Sequence, residues 1–236
     1  MIRHLWRWHP KVALRYLPII RKIKQLGLIK GSILEIGSGS LGITPYLGRS
    51  VVGLDIDFSG PQIEFLTKIK GSAINIPFKD RSFDIVLMVD VLEHLEPNKR
   101  KKAIIEAIRV ARKLLVISFP SGKKALEEDN FLSNYYKKIY GGPFPFYQEH
   151  LQYGFPQVKQ VNDTITNEIK LSERKVNIEV EGNINLGMHR FLMKGWITKN
   201  IFIDIIFRKL FLLLIPIFLF FNKEPTYRKI FYIKFK

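Results

Sequence analysis

The chain has 236 residues, 47% hydrophobic and 25% charged, which suffices for one sizeable core and excludes a disordered or low-complexity protein. It holds no cysteine, which excludes a disulfide scaffold, thiolate metal ligands and a cysteine nucleophile, and fits a reducing compartment. The net charge of +17 points to an anionic partner, and it sits at the ends: residues 1–30 carry eight Lys/Arg and no acid, residues 196–236 carry eight against Asp204 and Glu224, and the body between them is close to neutral.

In residues 1–30, a segment predicted to be helical, Trp6, Trp8, Tyr16, Leu17, Ile19, Ile20 and Ile23 interleave with Arg7, Lys11, Arg15, Arg21, Lys22 and Lys24. No run of ten apolar residues escapes a charge there, so no secretory core segment is expected. ILEI (33–36) and VVGLDI (51–56) are short apolar runs bounded by glycine and polar residues, the pattern of buried parallel strands. Between them Thr44 and Pro45 are placed as the cap and first turn of a short helix. PQIEFLTKIK (61–70) predicts a helix, with Asp57 better placed than Asp55 to cap it. FDIVLMV (83–89) predicts a third strand, Pro97 to Lys113 a helix, and LLVISF (114–119) a fourth strand. This alternation implies right-handed βαβ units in a doubly wound α/β sheet, mostly parallel.

Beyond residue 122 the pattern loosens. Nine aromatic residues fall between 131 and 155, readable as a lid over a ligand or as a satellite core. A helix over 157–171 and a strand over KVNIEVEG follow. The stretch 201–222 reads as a hydrophobic helical insertion; its uncharged part, 210–221, is twelve residues with Pro216 inside, short of the roughly 20 a bilayer span needs. A segment lying in one leaflet, or a core helix, fits it better. YRKIFYIKF (227–235) predicts an antiparallel strand returning to the sheet edge.

The first strand runs into Gly37-Ser38-Gly39-Ser40-Leu41-Gly42, a GxGxxG turn at the carboxyl end of a strand, where open α/β sheets bind ligands. Asp55 ends the next strand, where a carboxylate can accept from both hydroxyls of a ribose. Together these point to an adenosine-containing ligand without separating a nicotinamide dinucleotide from S-adenosylmethionine.

LEIGSGSLGI, then GLDID, then INIPFKDRSFDIVLMVDVLEHL resembles the class I S-adenosylmethionine-dependent methyltransferases, particularly the broad small-molecule and lipid-type group. The likeness covers residues 31–122 well and 149–182 loosely. It implies a Rossmann-like sheet, S-adenosyl-L-methionine as cofactor, and a methyltransferase domain over 31–200 that residues 223–236 complete. Carried over by position, Glu35, Gly37, Ser38 and Gly39 line the methionine end of the cofactor, Asp55 and Ile56 the ribose side, and Ser72 and Ala73 the adenine. At that last place the family often has Asp-Ala, so the serine weakens the match. Asp90 and Val91 correspond to positions facing the cofactor and the transferred methyl.

Methyl transfer needs mainly alignment of nucleophile and sulfonium, with a base only where the acceptor is a hydroxyl or a protonated amine. The candidates are His94, in the LEH tripeptide, and His150, preceded by Glu149; either can instead be a structural histidine. His4, His9 and His189 lack acidic or histidine partners at ligand spacing, so no metal site is expected. The basic run Lys99–Lys102 reads as a solvated face. The basic, aromatic and aliphatic ends favour an anionic membrane surface as partner. The expectation is a cytoplasmic, peripherally membrane-associated enzyme whose acceptor is a small molecule or is lipid-linked. Methylation of nucleic acid (RNA) by way of the basic termini, or a non-catalytic scaffold, are the alternatives.

Overall fold

A computed structural model describes residues 9–236, with Phe146 by its backbone alone; His4, Trp6, Arg7 and Trp8 lie outside the described residues. Helix α1 (Pro10–Gln25) opens on a proline, whose missing N–H costs nothing at a helix start, and ends with Lys22 and Lys24 near its carbonyl end. Strand β1 (Ile33–Ile36) leads through α2 (Thr44–Leu47) to β2 (Val51–Asp55), β3 (Leu66–Lys70) and β4 (Phe83–Val89). Helix α3 (Pro97–Val110) passes directly into β5 (Ala111–Pro120), and α4 (Lys123–Tyr140), α5 (Gln148–Tyr153) and α6 (Val158–Leu171) follow. Then come β6 (Val176–Asn185), α7 (Leu186–Trp196), α8 (Ile201–Arg208), α9 (Ile215–Phe218) and β7 (Thr226–Phe235).

The seven strands form one sheet in the order β3-β2-β1-β4-β5-β7-β6. The pairs from β3 to β5 are parallel, and β7 runs antiparallel to both β5 and β6. Every residue of β4 is buried, because helices cover both faces of the sheet. Val86 and Met88 pack with Ile104 and Ile108 of α3 and Ile165 and Ile169 of α6. Ile85, Leu87 and Val89 point the other way, into a layer closed by Ile19, Ile20 and Ile23 of α1.

Three expectations need correction. Residues 61–70 hold no helix: Leu66–Lys70 pairs in parallel with Val51–Asp55 at the sheet edge, where outward Thr67 and Lys70 are tolerated. The edge pairing of this short segment overrides its helix-like spacing, and Asp57 caps nothing; its carboxylate accepts from Ser59 Oγ at 2.6 Å. The last strand forms where expected but is interior, between β5 and β6, because Tyr227, Ile230, Phe231, Tyr232, Ile233 and Phe235 are buried on both faces. The edge belongs to β6, whose middle residues Glu179, Val180 and Glu181 are exposed. The third correction is that 201–222 is no single helix: it breaks into α8, a 3-10 turn at Leu210–Leu212 and α9. Among the described residues no helix is long and apolar enough to cross a membrane.

Phe231 is fully buried and stacks on Phe119 with ring centroids 5.8 Å apart. Phe231→Ala should lower unfolding free energy by about 3–5 kcal/mol in a denaturant titration. Leu171→Ala, at a residue 80% exposed, should stay within about 0.5 kcal/mol of the parent.

Candidate active site

The turn after β1 is held from beneath. The Glu35 side chain is fully buried; its Oε1 accepts from Tyr16 Oη of α1 at 2.7 Å and its Oε2 from the Ile43 N–H at 2.7 Å. Burial pushes its pKa up to about 7, against the opposing pull of those two donors. Gly42 crosses directly over Oε2 with φ +51°, so a Cβ there would collide with the carboxylate. Gly37, at φ +70°, has its missing Cβ position filled by Val91 Cγ2 from the end of β4. Glycine is thus required at both places by close approach as well as by φ.

Asp55 reaches back from β2 to the same turn. Its Oδ2 accepts from the Gly39 N–H at 2.6 Å and its Oδ1 from the Asp57 N–H at 3.2 Å. Each oxygen keeps a second lone pair, so the carboxylate can still accept from two hydroxyls. Ser38 is buried, with its Oγ donating to the Gly39 carbonyl at 3.0 Å, while Ile56 projects beside Asp55 and is 70% exposed. Ser72 forms a bridge with Asn75 near the end of β3, and Ala73 packs against the core.

Asp90 caps β4 in the left-handed region, at φ +54°. Arg228 of β7 grips it from Nε to Oδ1 at 2.7 Å and from Nη2 to Oδ2 at 2.6 Å, and Arg15 of α1 adds a contact at 3.0 Å. Burial alone would raise the Asp90 pKa, but the two guanidinium groups overcome it and hold the carboxyl well below its usual range. Reading the basic ends as partner-facing missed this: two of their arginines are turned inward.

Beside this ion pair opens a cavity of about 450 Å³. Leu41 and Gly42 of the glycine turn and Asp90 line it on one side, and Glu93, His94, Tyr147, His150 and Trp196 line it as well. Both histidines expected as candidate bases are here. His150 Nδ1 lies 2.7 Å from Asp129 Oδ2, and Tyr227 Oη donates to Asp129 as well. His94 Nδ1 lies 2.7 Å from Glu149 Oε2, and the two Nε2 atoms face each other at 3.4 Å. Burial lowers the His94 pKa, as does His150, with Glu149 opposing. Glu93 is buried without a hydrogen-bond partner for either oxygen, and burial followed by the Asp90 charge pushes its pKa well up. The expectation of no metal site weighed partners along the sequence; the fold instead brings Glu93, His94 and His150 together with ligand atoms within 4.8 Å of one another. Glu93, Asp129, Arg15 and Arg228 were missed as site residues, and only the LEH context of Glu93 could have signalled one of them.

The aromatic stretch proves to be mainly core. Phe144 and Tyr147 pack with Leu132, Met193 and Ile197, and Phe155 joins α1, α4 and α7, so that Tyr147 walls the cavity from a fixed position. Of the Lys99–Lys102 run, Lys99, Lys101 and Lys102 are exposed, while Arg100 donates to the carbonyls of Leu95, Tyr153 and Gly154.

This strand order, with the seventh strand reversed and a glycine turn facing an acidic end of β2, is the class I S-adenosylmethionine-dependent methyltransferase fold. Residues 34–114 match the family described as a methyltransferase domain. A stretch of 107 residues is 34% identical to the phthiotriol/phenolphthiotriol dimycocerosates methyltransferase of Mycobacterium tuberculosis, covering 39% of this chain and 38% of that protein. The chain thus matches less than two fifths of that relative's length. In fold it is similar to a structure assigned as a sarcosine dimethylglycine methyltransferase from Galdieria sulphuraria (TM-score 0.53, 13% identity, 92% of this chain and 83% of that one). It is also similar to a phosphoethanolamine N-methyltransferase of Haemonchus contortus in complex with S-adenosylhomocysteine (TM-score 0.50, 15% identity, 87% of this chain and 49% of that one).

The raised Glu35 pKa fixes a sign. Between the unfolded value of 4.5 and about 7 the folded chain binds more protons than the unfolded one, so this residue's contribution falls as pH rises through 7. Glu35→Gln should flatten the melting-temperature profile between pH 5 and 8, removing a drift of up to about 3 kcal/mol.

Proposed function

We propose that the chain is an S-adenosylmethionine-dependent methyltransferase that acts at a membrane surface on an amphiphilic or lipid-linked small molecule carrying an anionic group. The observation that carries this reading is the continuity between the glycine turn and the cavity, which share Leu41 and Gly42, with Asp90 at the end of β4 lining the same cavity. Glu35, Gly37, Ser38 and Gly39 form or support the cradle for the methionine end of the cofactor, Asp55 and Ile56 the ribose, Ser72 and Ala73 the adenine. Asp90 and Val91 stand between cofactor and acceptor, and His94 and His150 activate the acceptor.

The acceptor class follows from the walls. Lys11, Arg15, Arg208 and Arg228 line the cavity against Asp90 and Glu93, an excess of positive charge. Burial, then Arg15 and Arg228, push the Lys11 amine down to about 7, so an anion beside it is electrostatically favoured. Trp196, Tyr46 and Tyr147 supply apolar walls. The relative from M. tuberculosis is named for a lipid substrate, in keeping with such an acceptor.

Membrane association is supported by the inserted segment. Helix α8 is mostly apolar yet buries no residue, and Leu213 and Phe220 farther along are 74% and 83% exposed. Lys199, Arg208 and Lys223 flank this surface and Arg208 also lines the cavity, so an apolar, basic face adjoins the place where an amphiphile would enter. Arg15 and Arg228, committed to Asp90, are withdrawn from any nucleic-acid surface.

Calorimetric titration should give saturable binding of S-adenosylmethionine and S-adenosylhomocysteine but not NADH, weakened at least roughly tenfold by Asp55→Ala, which removes a charged acceptor. A folded protein that binds neither sinks the cofactor reading. His150→Ala should reduce turnover by roughly 10²–10⁴-fold with little change in cofactor affinity. Sedimentation with vesicles containing phosphatidylglycerol should carry down the parent. Phe202→Glu with Phe220→Glu should lower that partitioning at least roughly tenfold; unchanged partitioning would refute the apolar anchor.

A further inference from the structure

We propose that Glu93, His94 and His150 bind a first-row divalent metal ion in the wall of the cavity. The spacing is the first reason. Two imidazole nitrogens that each lie about 2.1 Å from an ion and subtend a tetrahedral angle stand about 3.4 Å apart. The Nε2 atoms of His94 and His150 are 3.4 Å apart, and one ligand atom from each of Glu93, His94 and His150 lies within 4.8 Å of the other two.

The second reason is where the hydrogens must be. Each Nδ1 lies 2.7 Å from a carboxylate oxygen, of Glu149 for His94 and of Asp129 for His150. A carboxylate only accepts, so each Nδ1 carries its hydrogen, and Nε2 is the nitrogen left on each ring for a further ligand. The two Nε2 atoms face each other at 3.4 Å, so a cation between them would be coordinated by both rings. A carboxylate behind each ring is also the arrangement that orients metal-binding histidines and raises their basicity. The Asp129 arm is held further by Tyr227 Oη, at 2.8 Å from Oδ1.

The third reason is independent of the histidines. Glu93 is 1% exposed and neither of its oxygens has a hydrogen-bond partner. The nearby guanidinium groups do not relieve it, since Arg228 and Arg15 both grip Asp90. A buried carboxyl group left without a partner has lost its hydration with nothing in return, and a bound cation removes that cost.

Two nitrogens and one carboxylate favour zinc, manganese or iron over magnesium or calcium. Three protein ligands leave positions open toward the cavity, as in catalytic rather than structural sites. The use of the ion rests on the methyltransferase reading, although metal binding itself does not. A hydroxyl oxygen of the acceptor enters an open position and is acidified there. Its proton leaves to solvent, the oxygen–methyl bond forms as the sulfur–methyl bond breaks, and S-adenosylhomocysteine remains.

The test uses the full chain, untagged and stripped with chelator, titrated with Co²⁺ and followed by visible absorption, with S-adenosylhomocysteine calorimetry and thermal melting alongside. One equivalent should bind saturably, and Zn²⁺ should displace it. Glu93→Gln and His94→Gln should each weaken binding at least roughly tenfold, and Glu149→Gln, at an exposed position, about tenfold through the loss of the Nδ1 partner. The melting profile of each variant establishes that it is folded. Absence of a saturable signal in the folded parent overturns the site, as does stoichiometric binding that Glu93→Gln and His94→Gln leave unchanged. Cobalt binding without S-adenosylhomocysteine binding would sustain the metal site and refute the methyltransferase reading instead.

Discussion

Asp90 is the point on which the site depends. It ends β4 in a left-handed conformation, its N–H donates to the Ser118 carbonyl of β5 at 2.8 Å, and its carboxylate is shared by Arg228 from β7 and Arg15 from α1. Strand β7 and helix α1, far apart in sequence, are therefore locked to one side chain, and β5 to its backbone. The chain leaving that residue turns at once into Leu92–His94, which carries Glu93 and His94 into the cavity. A buried ion pair of this kind is weak evidence for stability, because desolvation offsets much of the attraction, but removal of one partner leaves an uncompensated charge costing about 3–5 kcal/mol. Its value here is geometric, since it fixes the direction in which the acceptor wall is presented.

The same contact explains why the charge distribution was only half legible. Counting residues assigns every terminal Arg to a surface, whereas Arg15 and Arg228 need a carboxylate 75 and 138 positions away to be understood as interior. By contrast β1, β2 and β4 were plain, because a parallel strand buried on both faces is a continuous apolar run closed by glycine or a polar residue. Leu66–Lys70 was misread because an edge strand needs only one buried face, and a single apolar period over five residues fits either element. The glycine turn and Asp55 were legible since their chemistry is local. The His94–His150 pair was not, although each residue was singled out: their meeting depends on α5 packing against the turn after β4, which no spacing along the chain encodes.

The inserted segment between α7 and β7 shows how stability and exposure divide within one stretch. Ile215 and Phe218 are buried and join Leu14, Leu192 and Tyr227, anchoring the segment to the body. Phe207 and Phe211 pack on one another and on Phe191, so the segment is internally ordered. What remains, Ile201, Phe202, Leu213 and Phe220, is held outward on an ordered base. Large apolar side chains exposed in such number on one segment are a feature of interaction sites rather than of solvent-facing helices.

Two glutamates measure the difference between scaffold and site. Glu35 and Glu93 are the same residue, both essentially without exposure, both with carboxyls pushed upward by burial. Glu35 has a donor on each oxygen, from Tyr16 and from the Ile43 backbone, and so the glycine turn above it has one geometry. Glu93 has none, and it stands beside two histidines whose ring hydrogens are already directed away from it, toward Glu149 and Asp129. An apolar residue at that position would remove the penalty of an unsatisfied buried carboxyl. The fold therefore confines its one unsatisfied acidic side chain among the described buried residues to the wall of the cavity, where an incoming ligand can complete it.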